Sequence, residues 1–171
     1  MIKLQELWAF GYPGGPKVDN LAKQGEANIE LPKTHFDNMD FSFSGIKTAV
    51  INLNHKTPNI NKADLCASFE KTVTEILIEN IKKSINYIKN TVEKDCSQNN
   101  PIKLVLAGGV SANSYIRNAF MNLEKEGIQI YMPDLKLCTD NAAMIASAGY
   151  YNYLEGNLSD YTLNAVPNLK L

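Results

Sequence analysis

The longest regular pattern in the chain is a stripe of apolar side chains between residues 61 and 92. Apolar residues recur every three to five positions, mostly every fourth, with lysine and glutamate between them. This spacing is typical of one face of an amphipathic α-helix, and its length predicts helix in two pieces. We interpret the stripe as core or partner surface rather than as a cofactor site. It comprises Leu65, Phe69, Val73, Ile76, Leu77, Ile81, Ile85, Ile88 and Val92.

A second pattern predicts a strand, a tight turn and a helix. An apolar, β-branched run at 102–106 leads into Gly108 and Gly109, and Ser111 and Asn113 are residue types that cap helices. Because glycine has no Cβ, such a turn lets a ligand approach the backbone, and the helix that follows directs its free N–H groups at a phosphate or carboxylate. A plain strand-to-helix connection in an α/β domain explains the same residues without a ligand.

Shorter patterns predict the remaining elements. Phe41 and Phe43 alternate with serine, which predicts a strand with one buried face, followed by a helix. Thr139 or Asp140 is expected to cap a helix whose small residues let it lie close to a neighbouring sheet or helix. The other predicted elements are a helix from Pro16 to Gly25, a helix over 113–126 ended by Gly127, a strand over 128–132 and an extended tail over 157–171.

Composition narrows the class of protein. The chain has 171 residues, a one-domain length, and its 17 basic and 18 acidic side chains give a net charge of −1. This balance excludes a global positive field for nucleic-acid binding and leaves room only for a local basic patch. The three cysteines have no CxxC spacing, which favours a reducing, cytoplasmic location. No apolar run approaches the ~20 residues that a membrane span needs, so we expect no membrane association.

Two segments carry residues suited to binding a ligand. Gly15 lies in a loop of glycines and prolines, and Asp19 follows in the first turns of the next helix, where its carboxylate can accept hydrogen bonds from ribose hydroxyls. Asp140 lies at the mouth of the C-terminal helix, where a hard oxygen donor can meet a cation. Helix-start electrostatics for Asp19 and simple capping for Asp140 remain open as alternatives.

Four motifs taken together resemble one family. In chain order they are GYPGGP, FSFSGIKTAV, LAGGVSAN and CTDNAAMIASAG. Their order and approximate spacing are similar to the carboxyl-terminal half of the tRNA adenosine threonylcarbamoyltransferases, known as TsaD in bacteria and formerly named O-sialoglycoprotein endopeptidases. The resemblance implies an α/β fold of the actin-like, Hsp70-like ATPase type with two similar lobes. Residues 11–171 would be the second, C-terminal lobe.

The resemblance also implies an activity and a site. The family transfers a threonylcarbamoyl group from threonylcarbamoyl-AMP to the adenosine 3′ of the anticodon in tRNA. Gly15 and Asp19 match the family's adenylate and ribose contacts, and Asn113 matches a residue that touches the nucleotide. Asp140 matches the aspartate that joins a histidine pair in holding one divalent metal ion, iron or zinc. TsaB-like and TsaE-like subunits are the protein partners that the resemblance implies.

The sequence lacks two motifs that the family carries. The family's HxxxH metal motif and SGGHT phosphate loop lie in the first lobe and do not occur in these 171 residues, and His35 and His55 do not have the HxxxH spacing. One carboxylate cannot hold a catalytic ion, since an open catalytic site usually keeps about three protein ligands. We therefore expect the chain to be inactive alone and to need a separate first lobe or to self-associate.

Residues 1–10 form a leader that differs from the family, which shows a segment like FDKVARALGLGYPGG here. Permitted codons for residues 1–9, ATGATAAAGTTGCAAGAGCTTTGGGCT, encode Asp-Lys-Val-Ala-Arg-Ala-Leu-Gly when read from the third nucleotide. We hypothesise that the chain starts out of frame and joins the family's frame near Gly11, through a frameshift or a sequencing error.

Three functions are compatible with the sequence. The first is a half-enzyme that supplies the second lobe of the transferase. The second is a non-catalytic scaffold of the same fold, against which Asn113 and Asp140 speak because a scaffold needs neither. The third is a small-molecule kinase of the same fold superfamily, against which the CTDN motif speaks.

Overall fold

The chain is organised around one long helix, in a computed structural model that describes residues 14–92 and 101–166. The N-terminal part is helical and consists of α1 (Gly14–Ala22), α2 (Ser44–Lys56) and α3 (Lys62–Tyr87), which continues as a π-helical segment at Ile88–Val92. The C-terminal part consists of β1 (Lys103–Val105), a 3-10 turn (Gly109–Ala112), α4 (Ser114–Met121), a second 3-10 turn (Asn122–Glu126), β2 (Gln129–Tyr131), a third 3-10 turn (Leu135–Leu137) and α5 (Ala142–Leu154).

Helix α3 joins the two apolar clusters of the described molecule. Its first half packs with α1 and α2, and its second half packs against the sheet. The first cluster comprises Val18, Ala22, Leu31, Ile46, Val50, Leu65, Cys66 and Phe69, and the second is centred on Ile85, Leu123 and Ile128. The predicted division of this stretch into two helices is wrong, because no glycine or proline interrupts its 26 residues and only its end adopts π geometry.

The sheet is a parallel pair in which Leu104 of β1 lies opposite Ile130 of β2, and α4 connects the two strands. This arrangement confirms the predicted order of strand, helix and strand. Gly127 ends the intervening helical segment in the left-handed region, with φ 80°, which confirms the predicted stop. One face of the sheet is open, since Val105 is 69% and Tyr131 44% exposed. The described fold is therefore mostly helical with a small parallel sheet.

The predicted strand at Phe41 and Phe43 is wrong. Neither residue lies in a strand, and α2 begins at Ser44 directly after them. The two rings contact each other, with centroids 5.3 Å apart, and both are exposed. Alternation predicts a strand only where a partner strand and a buried face are available, and the structure provides neither at this position.

Helix α5 is apolar but has no buried residue. Asn141 caps it, because its Oδ1 accepts a hydrogen bond from the amide of Met144 at 3.0 Å, so the predicted cap at Thr139 or Asp140 is wrong. Close packing of its small residues against a neighbour does not occur within the described ranges, where the whole helix is exposed. A helix that is apolar all round is normally buried, so α5 presents an uncovered surface.

The two ends of the chain fall partly outside the described residues. The predicted boundary between a leader at 1–10 and a lobe at 11–171 lies outside them and stays a prediction. Residues 157–166 are exposed and form no regular helix or strand, as expected for the first part of the predicted tail. Among the residues with described structure, no helix combines the length and the apolar character that crossing a membrane would require.

Candidate functional site

The glycine turn at 108–113 is held by its own backbone and side chains. Gly108 has φ 84°, a conformation that favours glycine, and it accepts a 2.6 Å hydrogen bond from the buried Ser111 hydroxyl. At Gly109, by contrast, φ is not positive and an added Cβ would meet nothing within 4 Å. The backbone conformation therefore favours glycine at the first position, whereas neither the conformation nor the packing of the described residues requires it at the second.

Asn113 ends the turn and ties it to α3. Its Oδ1 accepts a hydrogen bond from the amide of Ile116 at 2.9 Å, which confirms the predicted cap on α4. Its Nδ2 donates to Oε1 of Glu70 at 2.6 Å, and both side chains are buried. The Asn113 amide is thus fixed at both of its ends, by the start of α4 and by α3.

Glu70 is a buried carboxyl that sequence reasoning missed, with only 4% of its surface exposed. Burial raises its pKa to about 7, with a further increase from the charge of Asp19, while the hydrogen bond from Asn113 and the charge of Lys23 act in the opposite direction. Burial and the neighbouring Glu70 also raise the pKa of the Cys66 thiol to about 12. The only signal in the sequence was that Glu70 follows Cys66 by four residues, on the buried side of α3.

Asp19 occupies the N-terminus of α4. Its Oδ1 accepts hydrogen bonds from the Ser114 amide at 3.0 Å and the Ser114 hydroxyl at 2.7 Å, and its Oδ2 accepts one from Lys23 at 2.8 Å. Burial raises the pKa of Asp19, but the hydrogen bonds from Lys23 and Ser114 outweigh it and hold the pKa below its usual value. The backbone amide of Ser114, at the start of α4, therefore donates to the carboxylate of Asp19, a negative charge that the helix N-terminus favours. Gly15 lies four residues before Asp19, on the same face of α1.

Asp140 lies in an open cleft of about 840 Å³. Gly108 and Gly109 of the glycine turn line this cleft together with Cys138 to Asn141 and two residues at the start of α5, Ala143 and Met144. Asp140 is exposed. The side chain of the next residue, Asn141, donates a hydrogen bond from Nδ2 to the carbonyl of Thr139 at 2.9 Å. The residues that complete the lining include Val105, Tyr131, Met132, Pro133, Leu137 and Met144.

A metal ion would find too few ligands in the described residues. No group of three or more histidine, cysteine, aspartate or glutamate side chains suited to a metal occurs within 14–92 and 101–166. Asp140 is a suitable oxygen donor for a hard or borderline cation, but it stands without two further protein ligands there. The residues described do not make a complete metal site.

The predicted site residues therefore fall into two groups. Asp19 and Asn113 are adjacent, because Asp19 of α1 binds the residue that follows Asn113, and Asn113 in turn contacts Glu70 of α3. Asp140 lines the same cleft as Gly108 and Gly109, and the lining of this cleft includes neither Asp19 nor Asn113. The roles of Gly15, Asp19, Asn113 and Asp140 in binding stay predictions.

Comparison with known proteins identifies the family. The sequence profile of TsaD, described as tRNA N6-adenosine threonylcarbamoyltransferase, matches residues 1–147. The chain is 46% identical over 177 aligned residues to the tRNA N6-adenosine threonylcarbamoyltransferase of Clostridium perfringens (strain SM101 / Type A), and 43% identical over 178 to that of Clostridium novyi (strain NT). Each alignment covers 99% of this chain and 49% of the relative, so the chain spans about half the length of these relatives. The chain belongs to the TsaD family of tRNA N6-adenosine threonylcarbamoyltransferases.

Proposed function

We propose that this chain is the second, C-terminal lobe of a tRNA threonylcarbamoyltransferase of the actin-like ATPase fold, and that it acts only when a first lobe completes it. The observation that carries the proposal is the cleft whose lining combines Asp140 with Gly108 and Gly109. Such a cleft offers an oxygen donor together with backbone that carries no side chain. The chain would then contribute half of a site for threonylcarbamoyl-AMP and tRNA.

The hydrogen bonds around Asp19 and Asn113 support a role in holding an adenine nucleotide. A lowered pKa keeps Asp19 ionised at neutral pH, so its carboxylate only accepts hydrogen bonds, as a ligand's ribose hydroxyls require. Lys23, which now occupies Oδ2, has a 54% exposed side chain that can move aside for such a hydroxyl. The Asn113 amide keeps one N–H and one lone pair beyond its two hydrogen bonds.

The open space at Gly109 supports close approach of a ligand or of the other lobe. Gly109 lines the cleft, and an alanine methyl group at this position would meet no atom of the described chain within 4 Å, so packing does not explain the glycine. We assign Gly109 to the same binding surface as Asp140. Asp140 would supply one ligand to an iron or zinc ion, with the remaining ligands outside the described residues.

The exposed apolar surface of α5 supports the proposal that the chain binds another protein chain. Ile145, Tyr150, Tyr151, Tyr153 and Leu154 are each 59–65% exposed on one short helix. Contiguous apolar patches of this kind mark protein interaction sites in soluble proteins. We propose that a first lobe covers α5, and that a second copy of the chain does so when no first lobe is present.

A reconstitution experiment tests the function. The half of the Clostridium perfringens relative that this chain does not cover is produced separately and mixed with the chain, tRNA, threonylcarbamoyl-AMP and Fe²⁺ or Zn²⁺. We expect threonylcarbamoyladenosine only in the complete mixture, and none with Asp140→Asn. The matched control, Asp160→Asn, changes an exposed aspartate whose carboxylate accepts hydrogen bonds from the neighbouring Thr162, and it should retain the activity. The half-enzyme is rejected if the complete mixture gives no product, or if the Asp140→Asn chain gives as much product as the unaltered chain. If the Asp140→Asn chain instead stimulates the activity of an intact relative, the scaffold function is favoured.

A further inference from the structure

Arg117 is the only arginine among the 17 basic residues of the chain, and it is half-buried in α4. Its guanidinium donates hydrogen bonds to three groups that belong to different segments. Nη1 donates to the carbonyl of Ser111 at 3.0 Å and to Sγ of Cys138 at 3.6 Å, and Nη2 donates to the carbonyl of Pro133 at 2.9 Å. No sequence motif singled this residue out.

These three contacts connect the glycine turn to the segment that carries Asp140. Ser111 belongs to the glycine turn, Pro133 follows β2, and Cys138 precedes Asp140 by two residues. Cys138 is 3% exposed and donates in turn to the carbonyl of Asp134 at 3.5 Å. One guanidinium group therefore bonds the glycine turn to the segment that leads to Asp140.

We propose that Arg117 is the positioning residue that holds the loop carrying Asp140 at a fixed distance from the glycine turn. Lysine cannot replace it, because an ammonium group is a point charge, whereas the planar guanidinium reaches two carbonyls and a sulfur at once. The importance of this positioning for transfer rests on the proposed function. The positioning itself can be measured on the chain alone.

The rate at which a disulfide reagent labels each cysteine at about pH 8 measures how often the loop and the core open, separately for each. Cys138 reports the loop beside Arg117, and Cys66, which is 0% exposed, reports the cluster between α1, α2 and α3. Cys96→Ser is introduced in every protein so that two thiols remain. We expect Arg117→Lys to speed labelling of Cys138 at least about tenfold, because hydrogen bonds from a charged donor are lost, and to leave Cys66 unchanged.

The controls separate local positioning from general stability. Lys82→Met removes another basic group, which pairs with Glu126 at 2.8 Å on the surface, and should change neither labelling rate. Equal acceleration of Cys66 and Cys138 in Arg117→Lys would make Arg117 a general stabiliser and overturn the proposal. An unchanged rate at Cys138 would overturn it as well.

The reconstituted transfer reaction adds a functional measurement. Arg117→Lys should lower kcat while leaving unchanged the concentration of first lobe that gives half-maximal rate, because the cleft and not the lobe association is altered. A rise in that concentration at constant kcat would contradict the proposal. If the unaltered chain gives no transfer, the proposed function fails, and the labelling rates still decide the role of Arg117.

Discussion

Replacing Glu70 by glutamine should remove a large part of the pH dependence of the chain's stability. The carboxyl of Glu70 is 4% exposed and accepts a 2.6 Å hydrogen bond from Asn113. Glutamine keeps an oxygen at the same position and therefore keeps this hydrogen bond, but it cannot ionise. The substitution thus isolates the free-energy cost of a buried negative charge from the loss of a contact.

The magnitude follows from the raised pKa. In the fold the pKa of Glu70 is about 7, against an ordinary value of 4.5 that returns on unfolding. Below the unfolded value both states hold the proton, so this carboxyl contributes no difference there. Between the two values the unfolded chain releases the proton first, and the free energy of unfolding falls as pH rises. At about 1.4 kcal/mol for each pKa unit, the loss reaches about 3 kcal/mol above about pH 7.

Urea unfolding followed by far-UV circular dichroism, at intervals between about pH 5 and pH 8, measures this loss. We expect the Glu70→Gln protein to lie within about 1 kcal/mol of the unaltered chain near the lower end and to exceed it by about 3 kcal/mol at the upper end, or about 10 °C in Tm. Glu75→Gln is the control, because Glu75 lies on the same helix in an exposed ion pair with Lys33 and should change stability by less than about 1 kcal/mol without a pH trend. Other groups titrate in all three proteins, so the differences between the curves are compared. Parallel curves for the unaltered chain and Glu70→Gln would refute the reasoning.

Three further predictions concern packing, reactivity and association. Gly25→Ala should lower the free energy of urea unfolding by more than about 3 kcal/mol, because the added Cβ would overlap the backbone of Ala63. Gly109→Ala should change this free energy by less than about 0.5 kcal/mol, and equal effects of the two substitutions would contradict the packing argument. Cys66 should resist thiol reagents at about pH 8 in the folded chain and react only after unfolding, since its pKa is about 12. Light scattering should show self-association at high concentration, reduced by Ile145→Glu, and a monomer at every concentration would disprove it.

Local chemistry predicted those features that depend on neighbours in the sequence. Asn113 was expected to cap a helix and does so, and Gly127 was expected to end the same helical segment and adopts φ 80°. Both predictions succeed because a cap or a left-handed stop is decided within a few residues. The predicted position of the α5 cap is wrong by one or two residues. Thr139, Asp140 and Asn141 are all residue types that cap helices, and the sequence pattern does not indicate which of them does so.

The pattern of apolar and polar residues did not predict contacts between residues that are distant in the sequence. Glu70 and Asn113 are 43 positions apart, and Asp19 and Ser114 are 95 apart, yet these two pairs hold the candidate nucleotide side of the turn. A glutamate on an amphipathic helix is ordinarily solvated, so periodicity alone does not indicate a buried acceptor. Arg117 was missed for the same reason, because its three acceptors are backbone or sulfur atoms that carry no recognisable motif.

The continuity of α3 has a consequence for how the chain loses its structure. One uninterrupted helix supplies side chains to the cluster around Leu65 and to the cluster around Ile85. A helix propagates cooperatively, so melting in its middle withdraws support from both ends together. We therefore expect the two clusters to unfold together, so that a substitution within either cluster lowers the protection of backbone amides in the other, whereas Arg117→Lys, outside both clusters, loosens only the loop that carries Asp140.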